Sequence, residues 1–264
     1  MKAGLKIVQF TDFHLFGSGE GRLCGLDTFQ TLCDTLKLAR EDNRPPDLIF
    51  LTGDNSQDAT PESYERLASL FSGEKSPVYC LPGNHDSLPM MKLILGKKNF
   101  LIRRFFSKNS WQFVFLDSTV ENSPKGYLRK EELDFLDSTI EEHPAKHTLI
   151  CLHHQPVPVG SVWMDTMEVD NFEKLFEVLR PHQNVRGILF GHVHQEYSSE
   201  REGKLLLGSP STCFQFKPGQ EKFSLDNLPP GYRWLHLLPD GRIQTGVRRL
   251  PRVPADLNLD TQGY

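Results

Sequence analysis

The chain has 264 residues, 38% of them hydrophobic and 24% charged, with a formal net charge of -4. That is the balance of an ordinary globular protein, long enough for a substantial core yet compatible with one domain. No basic block is present to track a polynucleotide, no apolar run is long enough to span a bilayer, and Met1 to Lys6 shows no signal-peptide pattern.

In chain order, Leu5 to Phe10 reads as a strand ending at polar Thr11. Leu26 to Arg44 carries a helical recurrence (Leu26, Phe29, Leu32, Cys33, Leu36) stopped by Pro45-Pro46. Leu48 to Leu51 is a short buried strand, Pro61 to Phe71 a helix with Pro61 in its first turn, and Val78 to Leu81 a strand broken by Pro82-Gly83. The second half repeats the alternation: strand Phe113 to Leu116, helix Arg129 to Glu142, strand Leu149 to Leu152, helix Phe172 to Leu179, strand Val185 to Phe190. Lys204 to Leu207, Trp234 to Leu238 and Ile243 to Val247 follow as β-segments separated by Gly and Pro turns. Sheets layered against helices are expected, two of them face to face. The stretch from Pro251 onward has no periodicity and reads as an arm or a mobile tail. Cys24, Cys33, Cys80, Cys151 and Cys213 are scattered, without a C-x-x-C pair, and read as free thiols of a reducing cytoplasm.

Side chains of metal-ligand type recur where these strands end. Asp12-Phe13-His14, Gly53-Asp54, Gly83-Asn84-His85-Asp86, His153-His154 and Gly191-His192-Val193-His194 each follow one. Loops on one rim of a sheet converge without disturbing its core, so such positions collect functional groups. Any one of these motifs could be a turn or a satisfied core histidine; five in this order point to a site. Gly53, Gly83 and Gly191 each precede a candidate ligand, where a sharp turn would otherwise meet a Cβ.

The series D-x-H, G-D, G-N-H-D, H, G-H-x-H resembles the calcineurin-like metallophosphoesterase superfamily from Asp12 to His194. The stretches His153 to Val157, Gly191 to Glu196, Ser209 to Pro218 and Pro229 to Arg233 are similar to bacterial class III cyclic-nucleotide phosphodiesterases. Gly263-Tyr264 resembles the γ-proteobacterial members that act on 3′,5′-cyclic AMP. The resemblance implies an α/β (α+β) fold, a four-layer αββα sandwich of two mixed β-sheets flanked by helices, with residues 1–250 as catalytic domain and 251–264 as tail. It implies two metal ions, iron and manganese with zinc compatible: Asp12, His14 and His194 on the first, Asn84, His153 and His192 on the second, and Asp54 bridging. Nitrogen and oxygen donors without thiolate suit these metals, and a shared carboxylate offsets the repulsion of two cations about 4 Å apart.

Two divalent cations against Asp12 and Asp54 leave a positive centre that draws in a phosphodiester, and they lower the pKa of water enough to supply an in-line hydroxide nucleophile. Asp54 and His85 are the expected catalytic residues, His85 as proton donor to the departing ribose 3′-oxygen. The substrate is expected against His14, Asn84, His85 and His194. Asp58 and Asp86 are candidates to orient imidazoles. Ala59 departs from the glycine common in the family, and His154 reads as supporting rather than ligating. Phe13, Phe16, Phe214 and Phe216 could stack on a base or simply pack. The function implied is hydrolysis of 3′,5′-cyclic AMP to 5′-AMP. The alternatives are a broad phosphodiesterase or phosphatase acting on 2′,3′-cyclic nucleotides or other phosphoesters, and a non-catalytic scaffold. The partner expected is the small-molecule substrate, with no polynucleotide and no membrane; a homodimer is compatible.

Overall fold

The computed structural model describes residues 4–41 and 45–263. Period-two alternation sets its layers. On β1 (Leu5–Phe10), Leu5 and Ile7 join one apolar cluster while Val8 and Phe10 join another. On β2 (Leu48–Thr52), Leu48 and Phe50 take the first side and Ile49 and Leu51 the second. The second cluster is closed by Leu32 and Leu36 of α1 (Thr28–Arg40), by Tyr64 and Leu67 of α2 (Pro61–Leu70) and by Met91 of α3 (Leu88–Ile94). The first cluster is shared between sheets, where Phe50 and Tyr79 meet Phe106, Phe113 and Phe115.

Sheet one also contains β3 (Val78–Leu81), β4 (Phe100–Leu101), β13 (Gly231–Leu237) and β14 (Ile243–Arg249), in the order β14-β13-β1-β2-β3-β4. From β1 to β4 the pairing is parallel; β13 runs antiparallel to β1. Sheet two holds β5 (Phe105–Lys108), β6 (Trp111–Phe115), β7 (His147–Cys151), β8 (Val185–Phe190), β9 (Tyr197–Arg201) and β10 (Lys204–Gly208), in the order β5-β6-β7-β8-β10-β9. Its central pairings are parallel and both edges antiparallel. Helices α4 (Lys130–Glu142) and α6 (Phe172–Leu179) cover its outer face through Leu136, Ile140, Leu175 and Phe176. A short α5 (Val162–Asp165) and a two-stranded pair, β11 (Gln215–Phe216) with β12 (Leu225–Asp226), sit beside the second sheet's loops. This is the αββα sandwich of two mixed sheets.

The expected strands and helices are present, with boundaries moved by capping. The first helix begins at Thr28 because Asp27 accepts from the Gln30 amide, and it ends at Arg40, ahead of Pro45-Pro46. The expected end at Arg44 and the terminal Tyr264 lie outside the described residues. Helices α3 and α5 and strands β4, β5, β9, β11 and β12 were not foreseen; β9, Tyr-Ser-Ser-Glu-Arg, is an exposed edge with no apolar face to announce it. After Pro251 the chain touches the sandwich at two points: the Asn258 amide donates to the Cys24 carbonyl at 2.9 Å, and Leu257 packs against the core of sheet two. Among the described residues no helix is long and apolar enough to cross a membrane, and all five cysteines are free thiols, four of them buried.

A polar network ties the sheets together. Gln9 Nε2 on β1 donates to Thr52 Oγ1 at 2.7 Å and to the Phe190 carbonyl of sheet two at 3.2 Å, while Ser209 Oγ donates to Gln9 Oε1. Arg233, only 2% exposed on β13, donates to Ser209 Oγ (3.1 Å), Thr245 Oγ1 (3.1 Å) and the carbonyls of Gly208 (2.7 Å) and Tyr197 (3.2 Å). Burial pushes its guanidinium down to about 10, so it remains charged at neutral pH. Arg233→Ala strands several buried acceptors and leaves a cavity, and is expected to cost roughly 3 kcal/mol in urea unfolding. Arg233→Lys should recover only part of this, because an ammonium cannot reach four acceptors in a plane. A loss below about 1 kcal/mol for the alanine variant would show the network to be dispensable.

Candidate metal centre

The C-terminal ends of β1, β2 and β3 of one sheet and of β7 and β8 of the other open onto the same rim. Their loops bring Asp12, His14, Asp54, Asn84, His153, His192 and His194 together. The atoms of Asp12, His14 and His194 that could bind a metal lie within 4.8 Å of one another, and so do those of Asp12, Asp54 and His153. Asp54 also groups with His14 and His85, and His192 with His153 and His154. Six of the seven expected ligands are buried; Asn84 is half-buried, as is its neighbour His85, so the centre opens on the β3 loop.

The hydrogen bonds reveal what the cluster lacks. His153 Nδ1 lies 2.8 Å from the Thr52 carbonyl, His194 Nδ1 3.0 Å from the Phe214 carbonyl, and His14 Nδ1 2.7 Å from Gln57 Oε1. Each partner atom only accepts, so each Nδ1 carries a proton and, whenever the ring is neutral, each Nε2 presents a lone pair. Those lone pairs face other acceptors. His153 Nε2 is 3.2 Å from both Asp54 Oδ2 and Asn84 Oδ1, His194 Nε2 is 3.4 Å from Asp12 Oδ1, and His14 Nε2 is 3.2 Å from His194 Nε2. His154 Nε2 and His192 Nε2 are buried without a hydrogen-bond partner among the described residues, while Asp54 Oδ2 is approached by His153 Nε2. An enclosed set of acceptors facing acceptors calls for cations, and two groups of donors sharing Asp54 fit two.

The titration behaviour agrees. Burial lowers His14 to about 3 against the pull of Asp54, and burial with neighbouring imidazoles holds His154 and His192 well below the usual range. Burial also disfavours a charged His153, but the carboxylates of Asp54 and Asp12 outweigh it and raise this imidazole to about 9. Burial opposes ionisation of Asp54 too, yet the histidines around it, His153 first, keep its carboxyl well below the normal range.

The calcineurin-like phosphoesterase family model matches residues 5–196, which include every loop of this centre. The chain belongs to that family. It is 41% identical over 264 residues to the 3′,5′-cyclic adenosine monophosphate phosphodiesterase CpdA of Pseudomonas aeruginosa, covering 99% of this chain and 96% of the relative. It is 36% identical over 264 residues to the CpdA of Escherichia coli K12, covering 100% and 96%. A dimetal phosphatase from Danio rerio shares the fold, with a TM-score of 0.63 at 15% identity over 94% of this chain and 99% of that one.

The phosphoesterase loops hold their side chains through an unusual backbone. Asp12, His14, Asp54, His192 and His194 all have positive φ, between 44° and 66°. Each such residue costs on the order of 1 kcal/mol, so the strain is concentrated where the ligand types stand. Gly53 (φ 97°) turns the chain as expected, but Gly83 and Gly191 are needed for space: a Cβ at Gly83 would strike the Asp54 carboxylate, and one at Gly191 would strike Thr11. Ala59, where the family commonly has glycine, adopts φ 52°.

The expectation that Asp58 and Asp86 orient imidazoles is overturned. Asp86 accepts from the amides of Gly83, Asn55 and Ser56 and from Tyr64 Oη, tying the β3 loop to the β2 loop. Asp58 accepts from the Gly17 amide and from Thr60. The orienting groups are instead Gln57 and two backbone carbonyls; a carbonyl has no residue signature to find, and Gln57 lacked the expected carboxylate. His154 Nδ1 lies 2.8 Å from Ser118 Oγ, and one of its ring nitrogens is within metal-binding reach of His153 and His192. Phe13, Phe214 and Phe216 are buried, the last stacked on His194 at 4.2 Å, so they pack rather than line the opening.

Two outcomes test this geometry. Gly83→Ala should leave the far-ultraviolet circular dichroism intact while metal analysis shows less than one ion per chain. Because neutral imidazole is needed and His153 holds its proton up to about pH 9, metal uptake by the stripped protein must release that proton. Apparent affinity should therefore rise roughly tenfold per pH unit from pH 7 to 8.5 and level off above 9, read by titration calorimetry in two buffers. The same group stabilises the stripped protein fully below about pH 6.5, and that contribution disappears as pH rises through 9.

Proposed function

We propose that the protein is a cytoplasmic 3′,5′-cyclic-AMP phosphodiesterase, opening the cyclic diester to 5′-AMP. The observation behind this reading is the double cradle around Asp54 in a chain that is similar end to end to relatives bearing that name. In this reading Asp12, His14 and His194 would hold one ion, Asn84, His153 and His192 the other, and Asp54 both. Iron with manganese is the proposed pair; the nitrogen and oxygen donors also suit zinc. When bound, the ions supply positive charge for the phosphate oxygens and a hydroxide nucleophile from water near neutral pH.

The rest falls to the chain's own groups. Asn84 and His85, the half-buried members, meet the substrate first, with His14 and His194 behind them in the cradle. The His85 amide donates to Asp54 Oδ1 at 3.0 Å and its ring stands 5.0 Å from that of His14, which fixes its place at the rim. As oxygen attacks phosphorus, the bond to the ribose 3′-oxygen breaks on the opposite side. An alkoxide is a poor leaving group, and His85 passes its proton to that oxygen, giving the free 3′-hydroxyl of 5′-AMP.

His85→Ala is expected to keep both metals and lose about 10²- to 10⁴-fold in kcat on cyclic AMP, with a far smaller loss on an activated aryl phosphodiester. Steady-state kinetics on the two substrates, with metal content measured alongside, decides the point. Equal loss on both would remove His85 as the proton donor, and a loss of metal would make it a ligand. Wild-type enzyme that leaves 3′,5′-cyclic AMP intact while cleaving 2′,3′-cyclic AMP would overturn the substrate.

A further inference from the structure

A cavity of about 480 Å³ opens directly beside the proposed phosphate position. Its lining combines Asn84, His85 and His192 of the candidate metal centre with the apolar Trp163, Met164, Met167 and Phe223, and Asn122 and Ser123 add polar groups. We propose that this cavity is the subsite for a purine base, with Trp163 and Phe223 as the stacking surface and Met167 as its floor. The inference rests on the phosphodiesterase reading above, because it takes the phosphate to lie against Asn84 and His85.

Three observations carry it. First, the volume and the apolar wall with a few polar groups are those of a small-molecule site. Its continuity with the metal centre leaves the phosphate end accounted for, so this volume falls to the part of the nucleotide that carries no phosphate. Second, Trp163, Met167 and Phe223 remain only partly buried although they pack against the core. Flat aromatic faces beside a polar centre suit a π-system, and any base can stack there. Third, the wall is rigid. Trp163 meets Phe216 edge-on at 4.9 Å and Phe223 at 5.3 Å, and Phe216 stacks on His194, so one run of rings joins the metal centre to the subsite. The α5 segment is pinned at both ends: Asp165 accepts from the Val159 and Gly160 amides, Ser161 accepts from Gly219, and Gln155, two residues past His153, donates to the Met164 carbonyl. A wall held in place before the ligand arrives loses little freedom on binding. The bicyclic ring of a cyclic nucleotide is itself stiff, so base and phosphate must be met at a fixed separation.

The test compares two ligands of the metal-loaded enzyme that differ by the base alone, 5′-AMP and ribose 5-phosphate, as competitive inhibitors of an aryl phosphodiesterase assay. Wild-type enzyme should bind 5′-AMP at least tenfold tighter. In Trp163→Ala that ratio should fall to threefold or less with ribose 5-phosphate affinity unchanged, and Met167→Ala, a milder change should the tryptophan variant fold poorly, should narrow it in the same direction. A ratio near one in the wild type, a ratio unmoved in both variants, or equal weakening of both ligands would each overturn the subsite. An enzyme that keeps the base-dependent ratio but does not hydrolyse cyclic AMP would leave the subsite standing and sink the phosphodiesterase reading instead.

Discussion

The whole architecture answers to one electrostatic problem: two carboxylates, an amide oxygen and four imidazoles are crowded into one largely buried space with too few donors for the acceptors they present. Such a cluster repels itself, and in low dielectric the repulsion is large. The fold prevents relaxation by three means. It assigns the Nδ1 protons outward, to Thr52, Phe214 and Gln57, so the rings cannot rotate to escape. It locks five of the side chains onto left-handed backbone, where neighbours move less freely. And it removes Cβ atoms at Gly53, Gly83 and Gly191, so that loops from different strands touch. A proton on His153 is the partial substitute available without metal: burial opposes it, but the carboxylates of Asp54 and Asp12 raise that imidazole to about 9.

Because the centre draws on both sheets, the relation between the sheets has to be fixed as firmly as any loop. An apolar interface alone would not do this, since hydrophobic contact is non-directional and tolerates sliding. The Gln9, Ser209 and Arg233 network supplies the direction. Gln9 sits on β1, two residues before Thr11, and Thr11 touches the Gly191 loop and accepts from the Thr212 amide. The same strand thus bonds across the sandwich and delivers Asp12 three residues later. The His192 amide then donates to both oxygens of Asp12 at 3.1 Å, so the two ligand loops meet directly.

Much of this was legible in the chain. The strands that carry ligands, β1, β2, β3, β7 and β8, are short apolar runs with polar ends, and burial on both faces makes such runs conspicuous. The seven candidate metal ligands stand out in the chain because chemistry restricts such groups to a few residue kinds, here at strand ends. Orientation could not be read. Asp58 and Asp86 have the right chemistry and the right neighbourhood, yet they serve backbone amides, because a carboxylate near several N–H groups satisfies them before it reaches an imidazole. Strand β9 and the stretch after Pro251 were invisible or ambiguous for the opposite reason: their order comes from tertiary contact, not from a pattern of their own.

That division has a functional side. The ligand loops are short extensions of regular strands, and the fold that positions them is shared with the Danio rerio phosphatase at only 15% identity. The cavity wall is built differently, from the short helix α5 and the turn between β11 and β12 that carries Phe223. Asp165 pins α5 to its own lead-in, and the Ser161 side chain and the bond from the Val162 amide to the Gln220 carbonyl tie the two segments together. Neither main sheet runs through these segments, so they can change without shifting the register of the strands that carry the candidate metal ligands. Trp163 occupies the junction: it lines the cavity and meets edge-on Phe216, which stacks on His194. In the proposed reading, contact with the base and the position of His194 are mechanically linked at that point, so a change in the wall that displaces Phe216 would be felt at His194 as well.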